Sequence, residues 1–188
     1  MISWPRMRAL LPRARDLLDQ PEWDIFGRHF WEMFTRRQQE FLRADFVVSR
    51  LQANDMEGVV QEICARASDA GIGNADVIAE RLLERERAHT TVMGSGLAIP
   101  HATVPDLPEP VIGVALARDP IPFGPPGTDP VRLLIVLLSP PGRERQHVKL
   151  LARICRLARH EDFIDQLEAA DDDASVIEVI ELIDDQHV

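Results

Sequence analysis

Long apolar runs are missing from this chain, and none approaches the roughly 18 consecutive apolar residues that a membrane-spanning helix requires. Its first residues also lack the apolar core and small-residue cleavage site of a secretory signal. Cysteine is scarce: Cys64 and Cys155 are the two present, both inside apolar-periodic stretches and without metal-ligand spacing. A disulfide framework or a zinc ribbon is therefore not expected. There is no basic excess, since 21 Lys and Arg stand against 31 Asp and Glu for a net charge of −10. That balance excludes a general coat for nucleic acid or anionic membrane. No His-x-x-x-His spacing is present either, so no metal site is expected. No internal repeat is seen. A reduced, cytoplasmic protein that meets proteins or small molecules is the expectation.

What is present is enough for one well-filled domain with an appendage, at 188 residues. Residues 1–37 hold all three tryptophans, Trp4, Trp23 and Trp31. Within them Phe26, Phe30 and Phe34 recur every four residues and on a helix would form one aromatic stripe. This segment reads as an N-terminal helical extension, its stripe packed on the main domain or on a second chain. Residues 38–188 then form the main domain, and a homo-oligomer is left open.

In that domain, Phe46 to Leu51 reads as a strand, followed by a helix capped by Asn54 or Asp55 and carrying Val59, Val60, Ile63 and Cys64. The Gly71-Ile72-Gly73-Asn74 turn leads into a second helix from about Ala75 to Arg87, with Arg85 near its C-terminal end. Prolines at 105, 108 and 110 give an extended loop. Val111 to Ala117 then reads as a strand and Ile121 to Phe123 as a short edge strand. Val131 to Leu138 is apolar apart from Arg132, the pattern of a central strand covered on both faces. His147, Leu150, Leu151, Ile154 and Ala158 share one helical face, and helices over 162–169 and 174–183 complete the layers. The expected fold is α/β, a three-layer sandwich with a mixed central sheet of about five strands flanked by helices.

The stretch Gly94-Ser95-Gly96-Leu97-Ala98-Ile99-Pro100-His101-Ala102 concentrates chemical character. A glycine turn runs into a short buried strand, and Pro100 fixes its own φ and biases Ile99 towards an extended shape. His101 is thus delivered in a held position. Taken with Arg85-Glu86, Thr91 and the downstream His147, these residues resemble the signature of phosphotransferase-system IIA domains of the fructose/mannitol type, including nitrogen-regulatory IIA proteins. The likeness extends from about residue 38 to about 183.

The resemblance implies reversible phosphorylation of His101, which would accept a phosphoryl group from an HPr-like phosphocarrier and pass it to a IIB domain or serve a regulatory target protein. Physically, a neutral imidazole with an ordinary pKa of about 6.5 offers a free lone pair at neutral pH. Arg85 would be the permanently charged fork for phosphate oxygens. His147 would hydrogen-bond the phosphoryl group or orient His101. Thr91, Gly94, Ser95 and Gly96 are the expected phosphate-binding residues, through amides and the Thr91 hydroxyl. No cofactor is implied, nor any nucleic acid or membrane insertion. The segment His89-Thr90-Thr91-Val92 departs from the family's usual Gly-Ser-Thr-Gly, placing bulk at two positions that are usually small. The competing reading is a non-catalytic interaction module on the same fold, binding a partner through its N-terminal aromatic segment. A metal-dependent hydrolase built on His101 and His147 is a third.

Overall fold

Strand β6 (Val131–Ser139) fixes the architecture, because every residue in it except Arg132 is buried. An extended run that is apolar on both faces must be covered twice. One face, through Leu134, Val136 and Leu138, packs against Phe46, Val60, Ile63 and Ile78. The other, through Leu133, Ile135 and Leu137, packs against Leu150, Ile154, Phe163 and Leu167. The computed structural model describes residues 42–158, 163–170 and 172–186. The expected extension over residues 1–37, with its aromatic stripe, lies outside them.

The remaining elements are β1 (Leu42–Leu51), α1 (Met56–Asp69), α2 (Ala75–Ala88), β2 (Val92–Gly94), β3 (Leu97–Ala98), β4 (His101–Thr103), β5 (Val111–Ile121), α3 (Glu144–Leu157), α4 (Phe163–Glu168) and α5 (Asp173–Gln186). The sheet order is β1-β5-β6-β3-β2, with β4 also paired to β6. β5 runs antiparallel to β6 and parallel to β1. β3 and β4 run parallel to β6, while β2 is antiparallel to β3. Residues of α1 and α2 cover one face and those of α3, α4 and α5 the other, which is the expected three-layer mixed sandwich. Six strands replace the expected five or so because β3 and β4 are halves of one line. Leu97 opposes Leu133 and His101 opposes Leu137, so the register carries through Pro100 unchanged.

Local chemistry explains the element ends. Asp55 caps α1 by accepting from the Gly58 amide at 2.8 Å, and Asn74 caps α2 by accepting from the amides of Asp76 and Val77. Gly113 in β5 lies directly under the Phe46 ring, and a Cβ there would stand 2.2 Å from it. Cys64 is sealed in the core, where burial pushes its thiol up to about 12, too high for reaction at neutral pH. One expectation needs correcting. Ile121 to Phe123 is not a separate edge strand; Ile121 closes β5, and Phe123 is buried in the loop beyond it. Leu116 opposes Leu133 and Ile121 opposes Val131, so residues 117–120 bow out opposite Arg132 alone. Pro120 has no N–H for the ladder, and such a residue is accommodated in a bulge.

Candidate functional site

His101 opens β4 and is half-buried. Its backbone is fixed by pairing with Leu137, and on either side Leu137 N donates to Pro100 O at 2.9 Å while Ile99 N donates to Thr91 O at 3.0 Å. The ring is fixed too: Nδ1 lies 2.8 Å from the carbonyl oxygen of Ile99. A carbonyl can only accept, so Nδ1 carries the proton and the neutral ring keeps its lone pair on Nε2. Burial lowers the His101 pKa below its ordinary value. The Ile99 bond opposes that, Arg85 adds to it, and Glu86 opposes it.

His147 arrives from the first turns of α3, its ring centroid 5.4 Å from that of His101 and its plane tilted by 54°. Its Nδ1 sits 2.9 Å from the hydroxyl of Ser139, the last residue of β6, which is 1% exposed. Burial also lowers the pKa of His147, and the nearby His101 and Arg85 act in the same direction. Both rings are therefore held towards the neutral form.

Arg85, in the last turn of α2, does not pair with Glu84 or Glu86. It donates to the carbonyl of His89 at 2.7 Å, while Glu84 pairs with Arg81. Arg85 lies sixteen positions before His101 in the chain, yet its charge reaches both imidazoles. Arg85 also lines an open depression of about 580 Å³ with Ala102, Thr103 and Pro141, a hollow that neither imidazole lines.

Glu86 was part of the motif but had no role in the sequence reading. It is 4% exposed, and its carboxylate accepts from Thr91 N at 2.9 Å, from the Thr90 hydroxyl at 2.7 Å and from the Thr91 hydroxyl. The spacing of a helix-end carboxylate four and five positions before two threonines is the signal that could have found it. Ser139, a polar residue ending a strand that is otherwise apolar apart from Arg132, is a second such signal.

The expected phosphate contacts are only partly assembled. Thr91 lies beside the line carrying His101, but it is buried and its hydroxyl proton is spent on Glu86. Gly94, Ser95 and Gly96 are not brought to His101. Their φ values of +87°, +52° and +78° make the reversal between β2 and β3. The Gly96 carbonyl accepts from Arg132 N and Leu133 N at the start of β6, whereas His101 sits opposite Leu137 near its end. Five residue-to-residue steps of extended chain lead from Gly96 to His101, roughly 16 Å at about 3.3 Å each. These three residues serve the turn.

Residues 40–182 match the family described as phosphoenolpyruvate-dependent sugar phosphotransferase system, EIIA 2. The chain belongs to that family. This EIIA type 2 chain is 35% identical over 144 residues to a nitrogen regulatory protein of Bradyrhizobium diazoefficiens, covering 76% of this chain and 94% of that one. It is 31% identical over 125 residues to a PTS system fructose-specific EIIA component of Haloferax volcanii, covering 66% and 81%. Among solved structures, the nitrogen regulatory protein IIA-Ntr of Neisseria meningitidis superposes with a TM-score of 0.70 at 20% identity, covering 77% of this chain and 99% of that one. IIA mannitol in its complex with phosphorylated IIB mannitol from Escherichia coli superposes at 0.63 and 17% identity, covering 74% and 97%. These likenesses establish the α/β fold. Family membership makes the chain a phosphotransferase-system component, with a phosphocarrier or regulatory role.

Proposed function

We propose that His101 is the phosphoryl acceptor and that Nε2 is the reacting atom. The observation that carries this reading is the Nδ1 bond to Ile99, which leaves Nε2 with the lone pair. In the reaction, Nε2 attacks the phosphorus of a phosphohistidine on an HPr-like carrier. The new N–P bond forms as the donor's N–P bond breaks, and the departing imidazole takes the bonding pair. The Nδ1 proton stays in place, and the Ile99 carbonyl stabilises the positive charge that grows on the ring. Because phosphoryl transfer asks the protein chiefly for positioning and charge stabilisation, the neighbours complete the device. Arg85 offers its fork to the phosphoryl oxygens. His147, holding its proton on Nε2 while the Ser139 hydroxyl donates to Nδ1, adds a further hydrogen bond. Thr91, through Glu86, positions the segment between Arg85 and β2.

The phosphoryl group then passes to a IIB domain, or its presence is read by a regulatory target protein. The mannitol IIA–IIB complex supports the first and the nitrogen regulatory relatives the second. Residues 38–188 constitute the phosphoryl-bearing domain and residues 1–37 an appendage to it.

Incubation with phosphoenolpyruvate, enzyme I and HPr, followed by intact mass measurement under alkaline conditions, tests the reading. One phosphoryl group should be gained by the unaltered chain and none by His101→Ala. An unmodified native chain would favour the interaction-module reading instead, and phosphate retained in His101→Ala would move the site elsewhere.

A further inference from the structure

At the end of the sheet away from His101, the parallel strands β1 and β5 finish side by side, with Leu51 opposite Ala117. Beyond that pair β5 makes its excursion, and Arg118, Asp119 and Pro120 stand exposed on it. A cavity of about 600 Å³ opens between this excursion, the residues that follow β1, and α4. That is an ordinary size for a small-molecule site. It also lies in the crevice beyond the carboxyl ends of parallel strands, where α/β sheets commonly bind ligands.

The cavity is lined by three arginines, Arg50, Arg118 and Arg132, against two carboxylates, Asp119 and Glu168. Two backbone amides at its rim are already used: Gln52 N and Ala53 N both donate to Glu62, at 3.0 Å each. The groups offered to a ligand are the guanidinium groups of Arg118 and Arg132. Arg132 donates to Glu168 at 3.1 Å, so a carboxylate already sits where an anion would bind. In a chain of net charge −10, a concave site with more arginine than carboxylate draws anions away from the rest of the surface. The bulge that turns Arg118 outward is a feature that commonly re-aims side chains beside binding sites.

We propose that this cavity binds a small organic anion carrying phosphate or carboxylate, held by Arg118 and Arg132 and separate from His101. An oxyanion enters on Arg132 by displacing Glu168, and Arg118 closes on its other side. Removing Glu168 should therefore tighten binding, an outcome that non-specific attraction to exposed arginines would not produce in the same degree.

The test is an amide chemical-shift titration of the full chain, native and His101→Ala, with a hexose phosphate, citrate and inorganic phosphate as separate probes. The hexose phosphate and citrate arms distinguish phosphate from carboxylate chemistry. At least one of these two should shift the amides of Gln52 to Asn54, Ala117 to Asp119 and Ile121 with a Kd on the order of 0.1–1 mM, equally in both backgrounds. Arg118→Gln and Arg132→Gln should each weaken it by about tenfold, as expected for loss of a charge-assisted pair. Glu168→Gln should strengthen it several-fold. Spectra and thermal midpoints of each variant establish that it is folded. Three outcomes overturn the proposal: no shifts at these amides with either organic probe, binding of inorganic phosphate alone, or an affinity indifferent to both arginine substitutions in folded variants.

Discussion

The side chain of His101 turns back on its own strand, so that Nδ1 stands 2.8 Å from the carbonyl oxygen of Ile99, two residues earlier. One backbone oxygen thereby selects the tautomer and leaves the lone pair on Nε2. The rate of phosphoryl acceptance should consequently follow the neutral fraction of His101. Burial lowers its pKa below the ordinary 6.5, so the rate should be level at neutral pH and fall only as pH drops through that lowered value. A single-turnover pH profile with phosphorylated HPr checks this, and a fall beginning above pH about 7 would contradict it.

Arg85→Lys should reduce the transfer rate by about 10-fold to 1000-fold, because an ammonium keeps the charge but loses the paired donors that fit phosphate oxygens. The same change removes the bond to the His89 carbonyl. Rapid-quench measurement of transfer separates the effects: a rate loss without a change in unfolding midpoint places the role in the reaction.

Glu86→Gln should destabilise the protein by about 2 kcal/mol, within the range for charged hydrogen bonds and buried donors left unmet. The buried carboxylate serves one amide and two hydroxyls, and an amide side chain cannot accept from all three with both its atoms. Urea denaturation is the measurement. A change under a few tenths of a kcal/mol would remove Glu86 as an anchor of the Thr90-Thr91 segment.

Gly113→Ala should cost about 3 kcal/mol or more, since its Cβ would overlap the Phe46 ring and overpacking of this kind displaces side chains or backbone. Combining it with Phe46→Leu should recover part of the loss. Additive losses in the double variant would show that the ring is not what excludes the methyl group.

Stability should also depend on the two imidazoles. The pKa values of His101 and His147 are both lowered in the folded chain, so the unfolded chain binds more protons between the folded and unfolded values. Their contribution is full above the unfolded value of about 6.5 and is lost as pH falls through the folded values. Urea midpoints should therefore decline on acidification from neutrality, and His147→Gln should make the decline shallower. Parallel declines in both chains would remove His147 from this effect.

Much of the fold was legible because its decisive signals are local. The apolar run at 131–138 required cover on both faces, and the apolar offsets after His147 gave the facing helix. What escaped depends on three-dimensional register. Pro100 hides the continuity of β3 with β4, and the bulge at 117–120 splits the sequence pattern of one strand into two. At the site, chain proximity misled in one direction. Gly96 is five residues from His101 and lies at the far end of the strand line, while Arg85, much farther along the chain, influences the ring because α2 packs beside β4. Glu86 stood in plain view as a charged residue next to Arg85, but its burial could not be read from the helix pattern alone.

The line formed by β3 and β4 is flanked by β2 only as far as Thr91, whose carbonyl receives the Ile99 amide. In extended chain the N–H and C=O of one residue point to the same side, so the Ile99 carbonyl faces this outer edge as well. The His101 ring occupies it there, as a neighbouring strand would elsewhere. The edge is thereby closed from within: Ile99 is only 3% exposed, and its carbonyl is engaged by the chain's own imidazole. A side chain thus completes the margin that a strand completes elsewhere, and the proposed acceptor is held by an oxygen of the sheet's own edge.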